Sequence, residues 1–140
     1  MYMGKLQWVD AFELGMPEID DDHRALLGIL NKMQTAVDSG DFDLYLFLID
    51  ELIATSIAHF QYEEALLDKI GYPDVDRHRD HHAMLLRRAM AVKEASQKIT
   101  TKEGLTGCCD EMFKFLVDDI VAGDTNFKSF LEEKGLIARS

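Results

Sequence analysis

The chain of 140 residues and 15.9 kDa is long enough for one ordinary domain and too short for two of typical size. A hydrophobic content of 47%, with only two prolines, two cysteines and nine glycines, excludes a disordered chain, a collagen-like fibre and a disulfide scaffold. The formal net charge of −11 disfavours nucleic acid and anionic membranes as partners, and it favours a metal cation or a small neutral ligand.

In each of four segments, mostly apolar residues recur at alternating spacings of three and four, which places them on one inward-facing side of a helix. This is the pattern of amphipathic helices in a bundle. These segments cover residues 19–37, 52–70, 75–92 and 105–119. No segment alternates with the period of two that is typical of strands. Turn-forming or capping residues separate the segments at 38–41, 71–74 and 100–103. The sequence therefore predicts an all-α, up-down-up-down antiparallel four-helix bundle, with residues 1–140 as a single domain.

Two apolar segments flank the predicted bundle, an N-terminal arm before residue 19 and a short C-terminal helix within residues 126–134. Their apolar side chains are Leu6, Trp8, Val9, Phe12, Phe127, Phe130 and Leu131. We expect Gly123 to stop or distort the fourth helix. Residues 1–10 lack the apolar core of a secretion signal, and no run approaches the roughly 18 apolar residues of a membrane span. We therefore expect a cytoplasmic protein, with Cys108 and Cys109 as thiols that pack within a helix.

Polar residues occupy six inward-facing positions where a bundle would ordinarily place apolar side chains. They are His23, His59, Glu63, His78, His82 and Asp119. Burying charged groups without partners costs several kcal/mol each, so something must compensate them. Antiparallel packing brings all six positions to one end of the bundle, together with Asp124. The sequence therefore predicts a cluster of four histidines and three carboxylates at that end.

The composition of this cluster indicates a metal site. Imidazole and carboxylate ligands together suit iron, manganese or zinc better than calcium or magnesium. Seven candidate ligands are too many for one tetrahedral zinc and suit two metals bridged by carboxylates, as in the di-iron sites of helical bundles. The alternative is a buried polar network without metal, which is tolerated only when every member is hydrogen-bonded.

The same residues resemble the hemerythrin family, particularly its bacterial single-domain form, over nearly the whole chain. The matching pieces are Trp8, Ile19-Asp20, Asp22-His23, His59-Phe60-x-x-Glu63-Glu64, Gly71-Tyr72-Pro73, His78-x-x-x-His82, Leu116, Ile120 and Asp124. The resemblance implies a di-iron centre without haem that binds O2 reversibly, with an oxo or hydroxo bridge between the irons. It also implies that Glu63 and Asp124 bridge the two irons.

The resemblance further divides the histidines between the irons. It implies that His23 and His59 hold the iron with the open position, and that His78 and His82 hold the second iron with a histidine from the fourth helix. It also implies an apolar ligand pocket beside the open iron, formed by Phe60, Leu116 and Ile120.

Asp119 departs from the family pattern, because it occupies the position of that histidine of the fourth helix. We expect this carboxylate to bind the second iron directly, after a small helix shift, or through water. Its added negative charge would favour Fe(III) and lower the reduction potential. Among the other polar residues, we expect His81 to lie outside the ligand set, and Asp20, Asp21, Asp22 and Glu64 to be solvated or to cap helices.

Three functions remain open at this stage. The first is an O2-binding protein that carries or stores O2 or delivers it to an oxygen-using enzyme. The second is a di-iron oxidase or peroxidase, and the third is an oxygen- or iron-responsive interaction module. No side chain is an obvious catalytic acid, so the first is favoured over an enzyme. We expect a monomer that binds O2 or another small diatomic or anionic ligand.

Overall fold

The described part of the computed structural model comprises residues 12–138, without the side chains of residues 123–125. Its helices are α1 (Pro17–Asp38), α2 (Phe42–Lys69), α3 (Val75–Ser96), α4 (Lys102–Asn126) and α5 (Lys128–Glu133), and this range contains no strand. Helices α1 and α3 each pack against both α2 and α4, which is the arrangement of a four-helix bundle. The predicted all-α bundle and its short C-terminal helix are confirmed. Of the predicted N-terminal arm, Leu6, Trp8 and Val9 lie outside the described residues, whereas Phe12 packs against the core.

The connections between the long helices follow the predicted turn chemistry. The Asp41 carboxylate accepts a hydrogen bond from a backbone N–H in the first turn of α2 at 3.1 Å. Gly71 adopts a φ of 79° between α2 and α3, a conformation that favours glycine. The Thr101 hydroxyl accepts a backbone N–H from the first turn of α4 at 3.1 Å. Asp74 lies at the N-cap of α3, but its side chain accepts no capping hydrogen bond.

The fourth helix does not stop at Gly123, which is one of the two expected effects of that glycine, but continues to Asn126. A glycine inside a helix costs only about 1 kcal/mol relative to alanine, which tertiary contacts readily offset. The observed end lies where the Tyr72 hydroxyl donates a hydrogen bond to the Asn126 carbonyl, one of the C-terminal carbonyls without a partner inside the helix. The contact with Tyr72 is a tertiary feature, so the local sequence could not place the helix end, and a distortion at Gly123 stays a prediction.

Two apolar clusters of the described residues lie along the bundle. The larger one fills the space between the four long helices, and includes Cys109; the adjacent Cys108 is half-buried and packs against it. The smaller one forms where α5 covers one end, and contains Leu14, Ile19, Leu67, Tyr72, Phe127, Leu131 and Ile137. No described helix has the length and apolar character that crossing a bilayer would require.

Candidate metal centre

All four long helices contribute buried polar side chains to one end of the bundle. Each side chain belongs to a residue that is at most 3% exposed, and together they form the polar cluster: His23, His59, Glu63, His78, His82 and Asp119. The i,i+4 spacing places the two α2 residues on one face of their helix, and likewise the two α3 histidines. The predicted gathering of these six residues is therefore observed, whereas the side chain of Asp124 lies outside the described residues.

Glu63 joins two groups of potential ligands. His23, His59 and Glu63 form one group, and Glu63, His78 and His82 form the other, with the ligand atoms of each group within 4.8 Å of one another. The Glu63 Oε2 atom lies 3.4 Å from His59 Nε2, whereas Oε1 lies 2.5 Å from His78 Nε2 and 3.2 Å from His82 Nε2. One carboxylate oxygen thus faces His59 and the other faces His78 and His82, which is the position of a carboxylate between two cations.

Asp119 also points into this cluster from α4. Its Oδ2 atom lies 3.1 Å from His23 Nε2, and its Oδ1 atom lies 3.5 Å from His82 Nε2. Neither oxygen has a hydrogen-bond partner of acceptable geometry, and neither does His82 Nε2. Buried donors and acceptors are nearly always satisfied, so these unpaired atoms favour a bound cation over a self-sufficient polar network.

Asp22 and Glu64, which are expected from the sequence to be solvated or to cap helices, instead orient histidines of the cluster. The His59 Nδ1–H donates to Asp22 Oδ2 at 2.9 Å, and the His82 Nδ1–H donates to Glu64 Oε2 at 2.7 Å. Metal-binding histidines usually donate their second ring N–H to a carboxylate in this way, which directs the Nε2 lone pair at the metal. Each carboxylate adjoins a predicted ligand in the sequence, but its contact with a histidine of the next helix depends on how the two helices pack.

Asp20 is also misassigned, because it is buried and caps none of the helices. Its carboxylate accepts hydrogen bonds from the backbone N–H groups of Leu14 at 2.8 Å and Gly15 at 3.0 Å. It thereby holds the segment before α1 against the end of the bundle near the polar cluster. Asp21 matches the expectation of a solvated residue, since it is 75% exposed and pairs with Arg24.

His81 lies beside the cluster without joining either group of ligands. It is half-buried, its ring centroid lies 6.4 Å from that of His78, and burial lowers its pKa. The expectation that His81 stays outside the ligand set therefore agrees with its position.

The electrostatics of the cluster show how it balances charge without a cation. Burial disfavours protonation of His59, yet Glu63 and Asp119 raise its pKa to about 9. Burial likewise opposes protonation of His82, and the same two carboxylates raise its pKa to about 10. Burial disfavours ionisation of Glu63, but the three histidines around its carboxylate hold its pKa well below its usual range. Protons on imidazoles thus supply positive charge that bound metal would supply instead, and metal binding would release them.

Apolar side chains pack around the cluster. The Phe60 ring stacks on the His82 ring at a centroid distance of 3.9 Å and an angle of 6°, and its centroid lies 5.8 Å from that of His59. Leu116 and Ile120, on α4 near Asp119, are 1% and 4% exposed. The three predicted pocket residues are therefore buried, and the histidine that Phe60 approaches most closely is His82, which is expected on the second iron.

A surface groove of about 490 Å³ between α1 and α2 reaches the polar cluster at His59. Its lining includes the acidic side chains of Glu18, Asp21 and Asp22, and the exposed Tyr62. This groove brings the negatively charged surface to a histidine of the cluster, which suits the approach of a cation.

Comparison with known proteins agrees with these features. The family model described as the hemerythrin HHE cation binding domain matches residues 14–125. Bacteriohemerythrin of Stenotrophomonas maltophilia is 31% identical over 86 residues, which cover 61% of this chain and 56% of that protein. Bacteriohemerythrin of Pseudomonas aeruginosa is 28% identical with the same coverage, and that of Clostridium acetobutylicum is 33% identical over 58% of this chain and 66% of its own length. The chain thus spans little more than half the length of the first two relatives.

Proposed function

This chain belongs to the hemerythrin family, and from that premise we propose that it binds O2 reversibly at a di-iron centre without haem. The observation that carries the proposal is the pair of buried histidine groups that share the Glu63 carboxylate. Imidazole and carboxylate donors suit iron, and a shared carboxylate suits two ions held close together. The pair of ferrous ions, when bound, supplies the electrons for reversible O2 binding.

The described residues divide this work among them. His23 and His59 would hold one iron, His78 and His82 would hold the second, and Glu63 would bridge them. The resemblance gives Asp124 a second bridging role, which stays a prediction. It also implies that the residue at position 119 is a ligand of the second iron.

The surrounding apolar side chains support a carrier or store. Phe60, Leu116 and Ile120 are at most 4% exposed, so water and acids reach the cluster poorly from their side. A dry surrounding slows proton delivery and the escape of superoxide, and both would convert reversible binding into oxidation. We therefore propose that the protein carries or stores O2, or supplies an oxygen-using enzyme.

Anaerobic loading with ferrous iron, followed by exposure to air and return to vacuum, tests this proposal by absorbance. We expect two irons per chain and an absorbance change that appears in air and reverses under vacuum. Glu63→Gln should lose iron, whereas Glu51→Gln, an exposed change on the same helix, should retain it. A single iron per chain, or zinc in place of iron, would refute the di-iron proposal.

Asp119 favours a second candidate function, a di-iron oxidase or peroxidase. A buried carboxylate in place of a histidine makes the donor set richer in carboxylates, as in di-iron oxidases of helical bundles. Asp119→His removes one negative charge, so we expect slower oxidation of the diferrous protein in air. Slower oxidation in the variant would favour a parent suited to turnover, whereas equal rates would remove the argument for an enzyme.

A further inference from the structure

We infer that Asp119 binds both metals of the centre, as a bridging carboxylate opposite Glu63, and does not simply replace a histidine on one iron. This inference rests on the proposed function and specifies how one side chain of the same site acts. It concerns the position at which this chain departs from the family pattern.

The first argument is the direction of the two Asp119 oxygens. Oδ2 lies 3.1 Å from His23 Nε2 and 3.8 Å from His59 Nε2, the two histidines of one group. Oδ1 lies 3.5 Å from His82 Nε2, in the other group. A ligand of the second iron alone would direct its oxygens toward that iron's histidines. The shortest of these contacts instead reaches His23, which is expected on the other iron.

The second argument is the matching arrangement of Glu63. Its Oε2 faces His59 and its Oε1 faces His78 and His82, so its oxygens divide between the same two groups. Glu63 comes from α2 and Asp119 from α4, two helices that are not neighbours in the bundle. The two carboxylates therefore approach the space between the histidine pairs from different helices, and each offers one oxygen to each pair.

The third argument is the unsatisfied state of the Asp119 carboxylate. The residue is 2% exposed, and neither oxygen makes a hydrogen bond of acceptable geometry. Leaving a buried charged group without bonds is costly, and a purely structural aspartate would be expected to bond to the nearby imidazoles. Two cations between the histidine pairs would satisfy both oxygens together.

The consequence is a centre with matched donors on its two sides. Each metal receives two imidazoles, one oxygen of Glu63 and one oxygen of Asp119 from the described residues. Asp119 thereby affects the metal affinity of both histidine pairs. These include His23 and His59, which a histidine at position 119 on the second iron would not serve.

Titration of the metal-free protein with Co²⁺, followed by its visible absorption, tests this inference. In a His78→Ala/His82→Ala chain, only the group of His23 and His59 remains to bind the ion. Adding Asp119→Asn to that chain should weaken Co²⁺ binding by about tenfold or more, since loss of even an indirect partner of a metal ligand costs that much. If Asp119 serves only the second metal, this binding constant will stay unchanged and the inference is overturned.

A second titration uses the otherwise unaltered chain and decides the question if the double-alanine chain does not fold. Asp119→Asn should weaken both successive Co²⁺ binding steps, whereas weakening of one step alone would overturn the bridging role. Asp118→Asn is the matched control, because it removes the same charge from the adjacent residue, whose carboxylate pairs with Arg88 at 2.9 Å. Failure of the parent protein to bind two Co²⁺ ions would instead count against the proposed function itself.

Discussion

The contact between Asp22 and His59 permits a prediction that separates orientation of a metal ligand from stability of the fold. Asp22 accepts the His59 Nδ1–H at 2.9 Å, and its side chain is 43% exposed while that of His59 is 1% exposed. Changing Asp22 therefore alters the bond behind the ligand and leaves the packed core untouched. We expect Asp22→Asn and Asp22→Ala to fold normally and to bind metal more weakly.

The size of the effect follows from the kind of hydrogen bond that each variant retains. A bond to a charged acceptor contributes about 1.5–3 kcal/mol and a neutral one about 0.5–1.5 kcal/mol. Asp22→Asn keeps a carbonyl acceptor and loses the charge, whose effect is reduced by solvent because Asp22 is partly exposed. We expect a loss of about 1 kcal/mol, or roughly fivefold in affinity. Asp22→Ala removes the acceptor entirely. Its loss of metal affinity should therefore approach about a hundredfold, the upper end for residues that hydrogen-bond to a metal ligand.

Competition between the protein and a chelator of known affinity measures these changes, and a thermal melt of the metal-free form checks the fold. Asp21→Asn is the matched control, since Asp21 lines the same groove and is 75% exposed but pairs with Arg24. Equal weakening by the changes at Asp21 and Asp22 would mean that general surface charge attracts the cation. Unchanged affinity in Asp22→Ala would refute the orienting role.

Three further predictions concern the same cluster. Glu64→Gln should weaken metal binding through His82 by about tenfold in the same competition assay, and an unchanged affinity would contradict the role of their 2.7 Å hydrogen bond. The metal-free protein should lose stability as pH rises above 6.5. Folding raises the pKa values of His59 and His82 to about 9 and about 10, so their protonated forms stabilise the folded state. This contribution is complete below pH 6.5 and disappears as pH rises through about 9 to 10. Since metal binds neutral imidazoles, the difference in melting temperature between loaded and metal-free protein should widen over that range; a constant difference would refute the link. Phe60→Leu should cost about 1–3 kcal/mol in denaturant unfolding, since it removes the ring stacked on His82, while retaining two irons; loss of iron would show that the stacking also positions that ligand.

Local sequence patterns determined the parts of this protein that depend on spacing along one helix. The alternating three- and four-residue steps predicted the four long helices, because inward-facing residues must follow the helical repeat. The i,i+4 spacing of His59 with Glu63, and of His78 with His82, placed each pair on one face without any knowledge of the neighbouring helix. The motif around these residues also indicated the family, since the residue types and their spacing can be read from the sequence alone.

Contacts between helices decided what the local patterns left open. The side chain of Asp22 has the same local chemistry as that of Asp21, and only the position of α2 decides which one meets His59. The family resemblance implied that Asp119 binds one metal, whereas the packing of three other helices sets which histidines surround its two oxygens. Periodicity defines the face on which a side chain lies, because that depends on one helix alone. Distances of a few ångströms between side chains depend on how neighbouring helices are rotated and shifted, and those are set by the packing of the whole core.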